Sequence, residues 1–280
     1  MPDLVCTVLS SGVVSVLMRV SEGKVSGRVS MLAANYLTCS ILAVAFALAA
    51  EAPPADGLGV SAGLGILGGA IYLLAFLLLQ FNVGKNGVVL SAAFMKLGLL
   101  VPVLLAILLF GERPRPMQLL GFGVALGAIL LITLKGTGEN GRSLGGTVWL
   151  VALLLTAGGA NAMSKLFEQW GQPGWSEWFL AFIFGSALLM ALLTARSRRE
   201  RMGWKELAYG ALIGVPNYFA SRFLLRALAS LPAVLVYPTS NLGALAVTTL
   251  AGVTLFRERL DAPRWLGMAA IAAAVVLLNL

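Results

Sequence analysis

The sequence predicts an all-α membrane protein of ten transmembrane helices, arranged as two inverted five-helix repeats. Three observations predict this class. The 280-residue chain is 59% hydrophobic and only 11% charged, whereas soluble domains carry about 25% charged residues. Its apolar residues fall into ten segments of helix length, and the two halves of the chain align with each other at a constant offset.

The ten apolar segments are interpreted as membrane-spanning helices, because about 20 apolar residues cross the hydrocarbon of a bilayer. They cover residues 4–20, 31–50, 59–82, 87–110, 117–135, 145–167, 177–195, 206–228, 231–256 and 263–280. The first segment lacks the basic start and the cleavage site of a signal peptide, so it is counted as a span. Kinks or breaks are expected at Pro102, Pro216 and Pro238, because proline removes a helical hydrogen bond.

An offset of 146 residues aligns the two halves without a gap. The aligned pairs include Glu22 with Glu168, Tyr72 with Tyr218, and Phe110-Gly111-Glu112-Arg113 with Phe256-Arg257-Glu258-Arg259. These residue types are scarce in the chain, so the matches indicate a repeat. We predict one repeat over residues 1–140 and a second over 141–280, within one integrated transmembrane domain. Because five spans is an odd number, the second repeat must be inverted, as in many secondary transporters.

Small residues recur at helical spacing in the last span of each repeat. Gly123-x-x-x-Gly127 in the fifth span aligns with Ala269-x-x-x-Ala273 in the tenth. Residues of this size let two helices approach closely. We therefore expect these spans to pack against each other or against a second chain, and the protein to be a monomer or a homodimer.

Composition excludes several classes of function. The net charge of +8 would suit nucleic acid, but in a membrane protein basic residues mostly set orientation, so no nucleic-acid partner is expected. The chain has no His, and its two Cys lie in apolar runs, so no metal site, disulfide or cofactor is expected. No nucleophile–base motif and no ATP-binding loop occur, so an enzyme is the least favoured class.

The distribution of Lys and Arg predicts the orientation in the membrane. Fourteen of the 20 lie in or beside the odd-numbered connections and four in the even-numbered ones. The excess of positive charge on cytoplasmic loops then places both termini outside the cytoplasm.

The Phe-x-Glu-Arg sequence after the fourth span of each half, followed by Gly121 in one half and Gly267 in the other, resembles the EamA-type branch of the drug/metabolite transporter superfamily. The resemblance covers essentially the whole chain, with Arg257 in place of the usual glycine. It implies that the two repeats surround a central cavity lined mainly by spans 1, 3, 4, 6, 8 and 9, and alternating access by small metabolites, amino acids or drugs. It also implies a bacterial inner-membrane protein whose termini lie in the cytoplasm, the reverse of the charge count.

Some charged residues lie at span ends and have ordinary explanations there. Glu112 and Glu258 each adjoin an arginine, so a local ion pair or a role at a helix end is expected rather than transport chemistry. Lys165 lies near the end of the sixth span and is expected to extend its amine to the membrane interface.

Lys96 and Arg222 lie well inside their spans, where a charge costs about 2.5–3.5 kcal/mol and usually faces a cavity. No carboxylate lies comparably deep in the sequence. Two basic groups favour a negatively charged substrate, because Arg can bind a carboxylate with two hydrogen bonds and Lys adds a point charge. The predicted substrate-binding residues are Lys96, Arg222, Tyr218, Asn217, Tyr237, Ser240, Asn241, Asn161 and Asn35. The asparagines have a simpler alternative, which is to bridge neighbouring helices.

The leading hypothesis is a secondary transporter of a small anionic or zwitterionic metabolite, such as an amino acid or an organic acid, embedded in the lipid bilayer. A buried lysine can release its proton, so Lys96 is also a candidate for proton coupling. Two alternatives stay open. One is an exporter of neutral or hydrophobic compounds, and the other is a membrane subunit that transports nothing itself, such as an accessory to lipid-carrier flipping.

Overall fold

A computed structural model of the chain confirms the all-α class. It describes residues 1–54, 56–134, 144–255 and 262–279, and these residues form helices and connections without a strand. The second Phe-x-Glu-Arg copy, at residues 256–259, lies outside the described residues, so the role expected for Glu258 stays a prediction.

Every predicted span corresponds to a helix, except that the fourth forms two. In chain order the helices are α1 (Pro2–Ser21), α2 (Arg28–Ala49), α3 (Leu58–Asn86), α4 (Val88–Leu97), α5 (Leu100–Leu108), α6 (Pro116–Leu134), α7 (Leu144–Trp170), α8 (Ser176–Ser197), α9 (Trp204–Leu228), α10 (Ala233–Thr254) and α11 (Ala262–Asn279), with a 3₁₀ turn at Pro173–Trp175. Within the described residues, seven segments are long and apolar enough to cross a membrane. The apolar parts of α6 and α11 are shorter, and the more polar α9 is not among the seven. The count of ten spans therefore stays a prediction.

Pro102 explains the break between α4 and α5. It has no N–H to donate to the carbonyl of Gly98, four residues earlier. That carbonyl instead accepts from the N–H of Val101 at 3.0 Å, and Leu99 N–H donates to the carbonyl of Lys96 at 3.3 Å. These shorter i→i+3 bonds tighten the chain. The break confirms the expectation for Pro102, whereas α9 and α10 continue through Pro216 and Pro238.

The helices form two compact units. Unit 1 contains Met1–Leu73 and Met163–Ala229, and unit 2 contains Leu74–Ala162 and Ser230–Leu280, so α3 and α7 each contribute to both. In unit 1, α9 packs on α1 and α2, and α2 packs on α8, while in unit 2 α6 packs on α11. The pairs α2/α8 and α6/α11 are those that the offset of 146 aligns. Each unit thus draws on both halves of the chain, and the repeat boundary at residue 140 stays a prediction.

Glycines bring the helices of unit 1 into close contact. A Cβ added at Gly65 of α3 would lie 2.5 Å from the Cβ of Phe182 in α8. A Cβ at Gly210 of α9 would lie 2.5 Å from the Cβ of Ala34 in α2. Real Cβ atoms do not approach so closely, so only glycine permits these two helix pairs to meet as they do.

In unit 2, the expected packing of the last spans on each other is confirmed, but the expected glycines do not make the contact. A Cβ at Gly121 would lie 2.9 Å from the backbone nitrogen of Leu278 in α11. Gly123 and Gly127 have nothing within 4 Å of such an added atom. Gly121 and Gly123 lie on different faces of the helix, and only the face of Gly121 meets α11; the sequence motif alone did not show which face this is.

Carboxylates hold the connections at one end of unit 1. Glu206, in the first turn of α9 before its apolar part, accepts from Ser26 N–H at 2.9 Å, from Ser26 O–H at 3.1 Å and from Gly27 N–H at 3.3 Å. The Ser26 N–H contributes most to lowering the pKa of this carboxyl to about 2. Glu200 accepts from Val29 N–H and Ser30 N–H, both at 3.0 Å, and so caps α2.

Two further glutamates have structural partners. In unit 2, Glu112 accepts from the N–H of Ala233 at 2.9 Å and thus caps α10, which confirms the expected role at a helix end. In unit 1, Glu168 binds Lys165 at 2.5 Å, and the Lys165 side chain is only 3% exposed. The expectation that Lys165 extends to the interface is therefore wrong, because a carboxylate one turn away neutralises it in place.

Candidate functional site

An ion pair between α8 and α9 organises the polar residues of unit 1. Arg222 Nε donates to Glu177 Oε1 at 2.6 Å, and Tyr218 Oη donates to Glu177 Oε2 at 2.6 Å. The guanidinium carbon of Arg222 lies 4.1 Å from the centre of the Phe46 ring, and that ring stacks on Tyr218. One carboxylate thus binds two α9 side chains, while an aromatic face covers the cation.

The expectation that no acid matches the deep basic residues is wrong for Arg222. Glu177 opens the predicted seventh span, so by position in its own segment it counts as an end residue. Arg222 lies six residues before the end of α9, which is about 9 Å at 1.5 Å per residue. The first turn of α8 lies beside this point of α9, and the two groups therefore meet. The position of a residue within its own helix thus does not tell which part of a neighbouring helix it lies beside.

Part of the Arg222 guanidinium is still available. Its Nε is engaged, but neither terminal nitrogen has a hydrogen-bond partner among the residues that the structure describes. The Arg222 and Glu177 side chains are 18% and 15% exposed. The guanidinium is thus partly exposed, and its own counter-ion occupies only one edge.

Asn35 and Asn217 bridge α2 and α9. Asn217 Nδ2 donates to Asn35 Oδ1 at 3.0 Å. The thiol of Cys39 donates to the same oxygen at 3.3 Å and to the carbonyl of Gly214 at 3.2 Å. This is the bridging role that the sequence left open for the asparagines. Substrate binding by these two residues stays a prediction.

Two tyrosines outside the predicted set lie on helices of unit 1. Tyr36 of α2 is buried and stacks on Phe184, and Tyr72 lies on α3. Tyr72 is 37% exposed. The alignment of Tyr72 with Tyr218 was the available signal, but tyrosine is common in helix cores and at membrane interfaces.

Lys96 is the charged residue among the predicted site residues of unit 2. It lies in the last turn of α4, directly before the break at Gly98, and its side chain is half-buried. Within the described part of the chain it makes no hydrogen bond or ion pair. The C-terminal end of α4 offers it some electrostatic support, because carbonyl dipoles favour a cation there. Apart from this, the described residues give the ammonium no anion of the kind that a charge within an apolar helix requires.

The remaining predicted residues of unit 2 lie on α7 and α10. Tyr237 Oη donates to the carbonyl of Asn161 at 2.9 Å, and Asn241 Nδ2 donates to the carbonyl of Tyr237 at 3.0 Å. Asn161 Nδ2 donates to Ala157 in its own helix at 3.1 Å. Tyr237 thus ties α10 to α7, and the two asparagines donate to backbone carbonyls of their own helices, as buried polar groups must find partners.

The break in the fourth span meets α7 close to this point. Gly98 and Gly158 are so close that a Cβ at Gly98 would lie 2.8 Å from the Gly158 nitrogen. Gly158 precedes Asn161 by three residues, or about 4.5 Å along the helix. The α4–α5 break and Tyr237 therefore contact α7 within one turn of each other.

Two hydroxyls of α10 have no hydrogen-bond partner among the residues that the structure describes. Thr239 and Ser240 are each 8% exposed, and their Oγ atoms make no hydrogen bond among the described residues. A buried hydroxyl without a partner costs free energy, and both can donate to or accept from a ligand. Ser240 is thus the predicted pocket residue of unit 2 that is best placed to gain a partner on binding.

The nine predicted residues separate into two groups. Arg222, Tyr218, Asn217 and Asn35 lie in unit 1, and Lys96, Tyr237, Ser240, Asn241 and Asn161 lie in unit 2. A joint binding site for the two groups stays a prediction. Among the described residues, no cluster of three or more His, Cys, Asp or Glu side chains could hold a metal ion.

Comparison with known proteins identifies the family. Residues 4–134, essentially the first predicted repeat, match the model of the EamA-like transporter family. Together with the full-length relative described next, this match supports an EamA-type member of the drug/metabolite transporter superfamily. The EamA family is a family of membrane transporters for small molecules, and the apolar helices agree with a multi-pass membrane protein.

Two full-length similarities accompany this match. An uncharacterized protein of Haemophilus influenzae is 25% identical over 285 residues, which cover 96% of this chain and 94% of that protein. A protein of known crystal structure superposes with a TM-score of 0.80 at 17% identity, covering all of this chain and 99% of that one. The second similarity shows the fold alone, and it extends the shared fold over both halves of the chain.

Proposed function

We propose that this EamA-type chain is a secondary transporter that moves a small carboxylate-bearing metabolite, such as an amino acid or an organic acid, by alternating access. The observation that carries the proposal is Lys96. Its ammonium is half-buried in an apolar helix, and the described residues offer it no counter-ion. A charge placed there costs about 2.5–3.5 kcal/mol on insertion scales. A carboxylate on the substrate supplies the missing partner.

The surroundings of Lys96 support this role. A helix that breaks within the membrane exposes backbone polar groups, and transporters use such breaks to form substrate sites. The break directly after Lys96 packs on α7 through Gly98 and Gly158. Ser240 of α10 adds a buried hydroxyl to which the described part of the chain offers no partner. A substrate whose carboxylate binds Lys96 and whose polar group binds the Ser240 hydroxyl is a small polar acid rather than a hydrophobic compound.

Counterflow in proteoliposomes tests the proposal. Vesicles holding the purified protein are preloaded with unlabelled L-lactate, succinate, L-serine or the neutral solute ribitol, and uptake of the same labelled solute is followed. We expect exchange of at least one of the three acids and none of ribitol. Lys96→Gln should lower the exchange about ten-fold or more, because a charge-assisted hydrogen bond contributes about 1.5–3 kcal/mol.

Lys85→Gln is the matched control. Lys85 is exposed near the end of α3 and lies over the Phe81 ring, so this variant should exchange solute like the wild type. Equal exchange by Lys96→Gln and the wild type would refute the anchor role. Exchange of ribitol alone would favour a transporter of neutral compounds. A stable partner chain without any flux would favour a subunit that transports nothing.

A further inference from the structure

The Glu177–Arg222 pair is built so that one partner can be exchanged for another. Glu177 engages only the Nε edge of Arg222, and the terminal nitrogens have no partner within the described residues. These nitrogens form the edge that binds a carboxylate with two parallel hydrogen bonds. An incoming carboxylate can therefore bind Arg222 before Glu177 leaves, and the guanidinium is never left without a counter-ion.

We infer that Glu177 is the proton-coupling carboxylate of the transporter, and that a substrate carboxylate and a proton together displace it from Arg222. This inference rests on the proposed transport of carboxylates, and it treats the pairing of the substrate carboxylate with Arg222 as a step separate from its pairing with Lys96. Before binding, Arg222 and Glu177 carry charges of +1 and −1. After binding, the substrate carboxylate pairs with Arg222, and Glu177 holds one proton taken from the same aqueous side. The site has no net charge from the protein and carboxylate in either state, and release on the other side returns the proton.

The cost of an unpaired charge enforces the coupling. Removing one partner of a buried ion pair is strongly unfavourable, because the other charge is left without compensation. If the substrate carboxylate takes Arg222, an ionised Glu177 loses its cation and is left with Tyr218 alone. Protonation removes that charge. The new Glu177 O–H can then donate to the bound carboxylate, while Tyr218 still donates to the other oxygen.

The surroundings of Glu177 are compatible with this exchange. From α9 the titratable and charged groups near it are Tyr218 and Arg222, and Arg226 lies one turn further along. From α2 the adjoining group is the uncharged Phe46 ring, which holds the guanidinium by stacking rather than by charge. Arg222 can thus stay in place on Phe46 while its anionic partner changes.

The stoichiometry follows from this scheme. One proton should accompany each carboxylate group bound at Arg222. Uptake of a monocarboxylate is then electroneutral, and uptake of a zwitterionic amino acid carries one net positive charge. The membrane potential should therefore drive L-serine but not L-lactate.

The experiment uses the proteoliposomes described above, with L-lactate and L-serine as probes. Counterflow at equal pH on both sides reports binding and reorientation, and accumulation under an imposed pH gradient reports coupling. We expect Glu177→Gln to lose accumulation under the pH gradient, and its counterflow, measured beside that of the wild type, shows how much binding and reorientation the variant retains. Glu168→Gln is the matched control, since it removes a carboxylate from another ion pair, and it should accumulate solute normally.

A measurement on the wild type covers the case in which Glu177→Gln does not fold. A pH-sensitive dye enclosed in the vesicles should record one proton entering with each L-lactate or L-serine. Solute entry without protons, or accumulation by Glu177→Gln equal to the wild type, overturns the inference and leaves the proposed transport intact. A wild type that exchanges no acid overturns the proposed function and this inference with it.

Discussion

The contact between α3 and α8 gives a stability prediction whose size can be worked out from distances. In the Gly65→Ala variant, the new Cβ would lie 2.5 Å from the Cβ of Phe182 and 3.0 Å from the carbonyl oxygen of Phe179. Ordinary contacts of this kind begin at about 3.4 Å, so the two helices must separate by about 1 Å. Neither neighbouring atom is the free end of a side chain, so the strain cannot be relieved by a rotamer change. Overpacking of this kind costs about 1–3 kcal/mol.

Gly63→Ala isolates that cost. Gly63 lies two residues earlier in α3 and has nothing within 4 Å of an added Cβ. Both substitutions gain the same helix propensity, about 1 kcal/mol, so the difference between the variants reports the clash alone. For a gap of about 2 kcal/mol, the apparent melting temperatures should differ by roughly 4–8 °C. Tryptophan fluorescence of the detergent-purified proteins during heating provides the measurement. Equal melting temperatures would refute the close contact of α3 with α8.

Two other side chains, Trp175 and Glu206, give further predictions. Trp175 Nε1 donates to the carbonyls of Pro54 and Asp56 at 3.1 and 2.9 Å, so Trp175→Phe should destabilise the protein by about 1–3 kcal/mol. The control is Trp204→Phe, which should not change the melting temperature because Trp204 is 79% exposed. The pKa of Glu206 is lowered from 4.5 to about 2. The ionised carboxylate therefore contributes fully to the free energy of unfolding above about pH 4.5, and this contribution is lost as the pH falls towards 2. The wild type should therefore melt above Glu206→Gln at pH 7, and the difference should shrink between pH 4.5 and 2; a constant difference would show that ionisation of Glu206 is not involved.

Much of the fold could be predicted because the bilayer imposes a simple rule on sequence. A spanning helix must be apolar over about 20 residues, so the helices are visible as runs, and proline marks the break at Pro102. Which faces of those helices meet is a different matter. Gly65 and Gly69 have the same spacing as Gly123 and Gly127, yet only the first two touch a neighbouring helix. In lipid, both the packed and the exposed face are apolar, and the pattern does not distinguish them.

Individual residues of the candidate site could be predicted from the sequence, but the contacts between them could not. The sequence shows that Lys96 and Arg222 are costly where they lie, and the structure agrees that both are partly enclosed. The sequence does not show that Glu177 reaches Arg222, because that contact joins two residues that are 45 positions apart in the chain. An acid at the start of a helix is ordinary, since the helix dipole favours it there. Only the packing of α8 beside α9 gives Glu177 its second role.

The two basic residues therefore differ in how they respond to removal of a charge. Replacing Glu177 leaves Arg222 without its counter-ion and should destabilise the protein. Replacing Lys96 with Leu removes a cation that the described residues do not neutralise, and should stabilise the protein by up to about 2.5–3.5 kcal/mol, less any loss in packing. A higher melting temperature for Lys96→Leu, together with a loss of counterflow, would show that the lysine is kept for function at the expense of stability. A lower melting temperature would show instead that Lys96 supports the fold, and the case for a substrate anchor in unit 2 would then lose its main argument.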